Sequence, residues 1–453
     1  MARVKDMTRG KPLKLIIAFA LPMLLGNAFQ QLYSLVDTAV VGKVLGMEAL
    51  AAVGAAGWLD WMVLGCLIGL TTGFSIVVSQ RFGAGDIPGL RRAIAMACGL
   101  AVASAVILLA LSLSLGPKAL VWMNTPPEAL PLSVAYVTVI FAGLPVSMAY
   151  NLFSAILRAL GNSRTPLVAM IISSIVNVVL DLVFVAGLHW GVRGAAGATV
   201  IGQGCAALFC LMSLAKIDFI RPHRADWRPH MPTIRELLRL SLPVAGQNTV
   251  VSIGGLVLQA IANGFGVAFV AGFSAAAKIQ GLLEMTGISL GSAMATYAGQ
   301  NLGARAHGRI REGVRQALLV TIAMAVIWGT VGVLFGRQLT LLFISADAAA
   351  VDDVIASSML YLRTSCATLT FLFALFILRS TLQGMGDAVF PILSAFGQVA
   401  MRIGMGLLLP RFLGGWGVCI ADASAWVSAA IMLYFAYRAR INRLDPEGRC
   451  ALI

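Results

Sequence analysis

The chain has 453 residues, of which 59% are hydrophobic and only 11% charged, with a mean hydropathy of +0.90. Soluble globular domains carry roughly 25% charged residues, so this composition excludes a soluble domain and indicates a polytopic membrane protein. The formal charge of +14 does not indicate nucleic acid, because the basic residues sit in short gaps between apolar runs, where membrane topology places them.

Taken in order, the chain opens with the basic lead MARVKDMTRGKPLKL. The apolar run behind it is longer than the core of a signal peptide and no small-residue cleavage site follows, so it is expected to persist as the first membrane helix. Twelve apolar segments then follow at roughly 15–42, 49–80, 93–115, 131–156, 166–187, 194–215, 238–263, 267–299, 315–336, 354–383, 389–410 and 416–437. Each exceeds the approximately 20 residues that a spanning helix needs. The expected fold is therefore all-α, with twelve transmembrane helices.

The basic residues assign the two sides. With the gaps allotted alternately, one side holds 25 Lys and Arg and the other five: Lys43, Lys118, Arg193, Arg337 and Arg411. The positive-inside rule then puts both termini in the cytoplasm. Lys278, Arg363 and Arg402 fall inside spans.

Four motifs recur at offsets between 220 and 226. Leu21-Pro22 with Gly26-Asn27 returns as Leu242-Pro243 with Gln247-Asn248. Gln80-Arg81-Phe82-Gly83-Ala84 returns as Gln300-Asn301-Leu302-Gly303-Ala304, Leu160-Gly161-Asn162 before Pro166 as Met385-Gly386-Asp387 before Pro391, and Trp190-Gly191-Val192 as Trp416-Gly417-Val418. The register indicates duplication. Six spans per half give both halves the same orientation, related by an axis along the membrane normal. The expected organisation is a first lobe at 1–215, a cytoplasmic linker at 216–237, a second lobe at 238–437 and a cytoplasmic tail at 438–453.

Polar chemistry concentrates in the first lobe. The first span carries Gln30, Tyr33, Ser34 and Asp37, which fall within a sector of about 100° on one side of a helix. A carboxylate near the bilayer centre costs on the order of 3 kcal/mol, so a chain that keeps one is using it. Asn177 and Asp181 lie one turn apart on the fifth span. In the second half the position matching Asp37 is Leu258, and those matching Asn177 and Asp181 fall at or beside Arg402 and Gly406. No Asp or Glu occurs between Glu236 and Glu284 or between Asp353 and Asp387, so the seventh and tenth spans carry no acid. Two carboxylates brought together away from water favour sharing a proton, and with amide and hydroxyl oxygens they also suit a hard cation. Either way the pair is a cation site, in preference to an interhelical clamp.

Other features carry less. The seven cysteines lie mostly within apolar runs without metal-ligand spacing and read as packing residues with free thiols. Asp60 stands between Trp58 and Trp61 and reads as a snorkelling acid in an interfacial aromatic belt. The four histidines fall in expected loops, and there is neither an H-E-x-x-H motif nor a phosphate-binding loop. No enzyme activity and no cofactor are expected, which leaves an ion gradient as the energy source.

The stretches ALPMLLGNAFQQLYSLVDTAVVG, VSQRFGAGD with AGQNLGA, LRALGNSRTP, NVVLD and LQGMGD make the chain resemble the multidrug and toxic compound extrusion family over nearly its whole length. That resemblance implies two six-helix lobes around a central V-shaped cavity that opens alternately to each side. It also implies efflux of small-molecule drugs, often organic cations, driven by inward H⁺ or Na⁺. In the DNA-damage-inducible-F-like branch and its archaeal relatives, the first-lobe cation site implied here falls on Asp37, Asn177 and Asp181, with Tyr136 and Thr199 as partners. Na⁺ would sit at the first three. The chain departs from the sodium-coupled pattern that has acids on helices seven and ten. Gln30, Tyr33, Met170 and Glu284 are the expected cavity residues. A monomer in the bacterial inner membrane is expected, with the lipid bilayer as its other partner. The alternative is a lipid or lipid-linked oligosaccharide flippase of related architecture.

Overall fold

The computed structural model describes residues 4–123, 125–343 and 351–445. Cys450 and the last part of the expected tail lie outside that range. Every regular element among the described residues is helical. The long elements are α1 (Pro12–Leu45), α2 (Met47–Gly83), α3 (Ile87–Trp122), α4 (Leu130–Ala142), α5 (Leu144–Ala159), α6 (Arg164–Asp181), α7 (Gly191–Ala215), α8 (Met231–Asn263), α9 (Val267–Gly303), α10 (His307–Leu341), α11 (Val351–Gly384), α12 (Val389–Leu408), the short α13 (Pro410–Leu413) and α14 (Gly415–Leu444).

Eleven of the described helical stretches are long and apolar enough to cross a membrane. The α4–α5 pair, bent by 48°, supplies a twelfth span. The bend falls at Gly143, two residues before Pro145, whose ring cannot donate a helix hydrogen bond. Most helices outrun the apolar segments, since the backbone goes on satisfying its own hydrogen bonds past the hydrocarbon boundary. Thus α8 starts at Met231, inside the stretch expected as linker, and α14 runs on to Leu444, inside the expected tail. His230 marks the α8 start, with its Nδ1 2.9 Å from the Thr233 hydroxyl. The remainder of the linker forms two single 3₁₀ turns, Asp218–Ile220 and Arg224–Trp227.

The repeated motifs fold into repeated turns. At the α5–α6 junction Gly161 has φ +80°, and its N–H donates to Arg158 O at 2.8 Å. At the α11–α12 junction Gly386 has φ +76°, with its N–H on Gln383 O at 2.8 Å. Both need the left-handed region that glycine enters without a steric penalty. The next residue caps the following helix in each case: Asn162 Oδ1 accepts from Thr165 N at 3.0 Å, and Asp387 Oδ1 from Val389 N at 3.1 Å.

By contacts the chain divides into two compact units. Among the described residues, the first comprises 4–7, 21–123 and 125–245, the second 8–20, 246–343 and 351–445. Inside the first, α7 packs on α5 and α6, and α2 packs on α3, α4 and α5. Inside the second, α11 is the central helix, packed on α9, α10 and α14, with α12 lying along α14.

Candidate functional site: a carboxylate pair in the first unit

Packing of α6 against α7 builds the site's floor. A side chain at Gly202 of α7 would have its Cβ 2.8 Å from Ser173 O and 3.4 Å from Asn177 Cβ, so only glycine permits this approach. One turn earlier on α7, Thr199 then meets Asn177, whose Nδ2 donates to Thr199 Oγ1 at 3.3 Å. One turn past Asn177, Asp181 ends the α-helical part of α6. There the helix widens into a π-type turn, Leu182–Gly187, with Leu188 N on Val183 O at 2.8 Å. Such local widening releases a side chain from the regular helical ladder and recurs at functional sites.

The α1 helix brings the second acid. Met170 of α6 packs beside Gly26, where a Cβ would stand 3.4 Å from its Sδ, and this seats α1 on α6. Further along α1, Asp37 lies directly against Asp181, close enough for their carboxyl groups to interact. Asp181 has no solvent exposure, and neither of its oxygens has a hydrogen-bond partner. Asp37 Oδ1 and Asn177 Oδ1 are likewise buried without partners. Four acceptor oxygens thus converge in a place that water barely reaches. Leaving buried polar atoms unsatisfied costs about 1–3 kcal/mol each, so the arrangement calls for a ligand that donates or coordinates.

Two tyrosines complete the lining. Tyr33 of α1 and Tyr136 of α4 both lie within electrostatic reach of Asp37 and Asp181. Gln30 is exposed on α1 and meets the Tyr33 hydroxyl from its own helix. Of the residues singled out in sequence, Asp37, Asn177, Asp181, Tyr136, Thr199 and Tyr33 come together here. Met170 packs beside Gly26 on the same side of α6 as Asp181, three turns earlier, and Glu284 lies in the second unit.

Asp60 corrects the sequence reading. It does not snorkel into an aromatic belt: it lies on the buried side of α2, within electrostatic reach of both tyrosines. The flanking Trp58 and Trp61 are 52% and 62% exposed, and at 100° per residue they occupy other sides of the helix.

The second unit holds a different constellation, which sequence reasoning missed. Asp422 of α14 is 3% exposed, and both its oxygens are bound. Arg402 Nε donates to Oδ1 at 2.8 Å and Tyr361 Oη to Oδ2 at 2.8 Å. Glu284 sits near this pair, with Gln280 and Arg379 also within its reach. The signal for Asp422 was present, since it is an acid inside the twelfth span, but the sequence comparison of acids covered only the seventh and tenth. Of the other basic residues in the spans, Lys278 lies over the Phe343 ring at 5.7 Å, and Arg363 lines an open groove of about 810 Å³ with Leu360, Trp416 and Ile431. Among the described residues no cluster of three or more His, Cys, Asp and Glu could hold a metal ion.

Eleven apolar helices with the bent α4–α5 pair, among the described residues, define a polytopic helical membrane protein that buries a bare acid pair in its first unit. The MatE family model matches residues 22–183 and 243–408, so the chain belongs to the MatE family. It is 28% identical over 445 residues to the "Probable multidrug resistance protein YpnP" of Bacillus subtilis, an alignment that covers 95% of this chain and 96% of that protein. It is 26% identical over 422 residues to the "Probable multidrug resistance protein NorM" of Thermotoga maritima, with 90% of this chain and 89% of that protein covered. Among solved structures, the outward-facing conformation of a multidrug resistance MATE family transporter superposes with a TM-score of 0.91 at 26% identity, covering 97% of this chain and 98% of the other.

Proposed function

We propose that this protein is a secondary active multidrug efflux antiporter, which exports amphipathic, often cationic compounds in exchange for H⁺ or Na⁺. The observation that carries this reading is the Asp37–Asp181 pair, with its converging unpartnered oxygens inside the first unit. A proton shared between the carboxyl groups, or a small cation held by them with Asn177 and Thr199, satisfies those oxygens. Loading then changes the electrostatics and packing of α1 and α6, which lowers affinity for drug. Coupling requires that cation and drug favour different states, so each must weaken the other's binding by the same factor. The multidrug names of the relatives support the substrate class. The working cycle is alternating access from a bacterial inner membrane, with both termini in the cytoplasm. A transmembrane potential supplies about 2.3 kcal/mol per charge per 100 mV to drive it.

The test is ethidium efflux in everted vesicles under separate H⁺ and Na⁺ gradients, comparing wild type with Asp37→Asn. Loss of gradient-driven efflux in the variant, under one ion only, supports the reading and identifies the ion. Unchanged efflux refutes it. Against a flippase, the bare oxygens of Asp37, Asn177 and Asp181 are acceptors, whereas a lipid phosphate needs donors.

A further inference from the structure

Asp60 is an acid inside a spanning helix, and its carboxylate makes no hydrogen bond or ion pair with any described residue. A charge in such a place is kept for use. On α2 it shares its side with Ala56 and Leu67, both 0% exposed, so it faces protein. Two turns earlier on α2, the Ser133 hydroxyl of α4 donates to Ala52 O at 3.1 Å, which clamps α4 to this part of α2. Tyr136 follows Ser133 on α4 by a single turn and is 9% exposed. Tyr33 approaches from α1. Three carboxylates, Asp37, Asp60 and Asp181, all lie within electrostatic reach of these two phenols.

Depth orders the groups. Counted from the α1–α2 turn at Gly46, with a rise of about 1.5 Å per residue, Asp37 lies about 14 Å along α1 and Asp60 about 21 Å along α2. Tyr33 lies one turn past Asp37 in the same direction. An independent sign that the cluster takes a ligand is Asp181 itself, which is fully buried with both oxygens bare.

We propose that Asp60 is a third cation station, on the far side of the Asp37–Asp181 pair from the Gly46 turn, which receives H⁺ or Na⁺ from the pair on its way to release. The Tyr33 and Tyr136 hydroxyls bridge the two stations. For H⁺, a protonated carboxyl of the pair gives its proton to a phenol oxygen as that hydroxyl gives its own to the Asp60 carboxylate, so charge and atoms balance. For Na⁺, the phenol oxygens ligate the ion as it passes. The titratable groups facing Asp60 are Tyr33 and Asp37 on α1, Tyr136 on α4 and Asp181 on α6. This proposal rests on the reading of Asp37 and Asp181 as the coupling pair.

The experiment uses the full-length protein in proteoliposomes, with ethidium as drug and H⁺ and Na⁺ gradients as separate arms. Three quantities are measured: gradient-driven transport, ethidium–ethidium exchange without a gradient, and displacement of bound ethidium by the cation at equilibrium. Asp60→Asn is expected to slow gradient-driven transport about tenfold while exchange and displacement stay within twofold of wild type, and Asp60→Glu is expected to restore most of the rate. Gradient-driven transport within twofold of wild type in Asp60→Asn overturns the proposal. Loss of displacement together with transport also overturns it, because Asp60 then belongs to the pair or to the fold. Asp37→Asn separates the two readings: if displacement survives in that variant, the coupling pair itself is wrong, whatever Asp60 does.

Discussion

In the first unit, Asp37, Asn177 and Asp181 leave four buried oxygens without partners, whereas in the second the single carboxylate of Asp422 has both oxygens bound by Arg402 and Tyr361. The two interiors are built on one duplicated frame. Tyr136 and Tyr361 occupy matching positions, 225 residues apart, and so do Asn177 and Arg402. Where the first unit has Asp37, the second has Leu258, packed in an apolar cluster with Phe273, Tyr361 and Val418. Where the first has Asp181, the second has Gly406. With Leu258 and Gly406 in place of the two acids, and an arginine in place of Asn177, the second unit pairs Arg402 directly with Asp422 where the first leaves its acids bare. Duplication kept the turns and the packing, and a few interior side chains divided the work.

The comparison can be broken most severely at the acids. Replacing Asp37 or Asp181 by Asn should reduce gradient-driven ethidium efflux to background, while the matching change in the second unit, Leu258→Asn, should not abolish the dependence on the cation gradient. Vesicle transport assays on all three variants check this.

The next effect concerns stability. Asp422→Asn leaves the Arg402 guanidinium buried without its counter-charge, and breaking a buried pair from one side costs about 3–5 kcal/mol. A large fall in thermal midpoint is therefore expected in detergent, with much of it recovered in the double variant Asp422→Leu with Arg402→Met. Equal destabilisation by single and double variants would show that the pair is not self-compensating.

Gly202→Ala sharpens the picture of the first unit. Its Cβ would press on Ser173 O and force α7 away from α6, a cost of about 1–3 kcal/mol. Cation affinity should fall along with stability, because Thr199 retreats from Asn177. The smallest effect is expected of Thr199→Val, which removes a single hydrogen bond worth about 1 kcal/mol. It should weaken cation-induced displacement of ethidium several-fold and leave the thermal midpoint nearly unchanged.

Much of the architecture was legible from the chain alone. Apolar length announced each span, because a backbone in lipid must bond to itself and only a helix of sufficient length does so within one segment. The acids of the site were legible for a related reason: a charge inside such a run is too costly to be incidental, and Asp37 and Asp181 stood out by that rule. Glu284, chosen by the same rule, lies near Arg402 and Asp422 inside the second unit.

What the sequence could not give was direction around a helix and distance between helices. Asp60 looked interfacial because tryptophans flank it, yet residues adjacent in sequence point 100° apart, and the neighbours on α1 and α4 decide what its side of α2 faces. The partner of Arg402 was undecidable by spacing, since Asp422 arrives on a different helix, and only packing of α12 along α14 brings the two charges to 2.8 Å. Composition and periodicity thus settled which segments enter the membrane and which carry charge, because the solvent penalty acts on each segment separately. Which charges meet, and which stay bare, was decided by helix packing, because that depends on contacts between residues far apart in the chain.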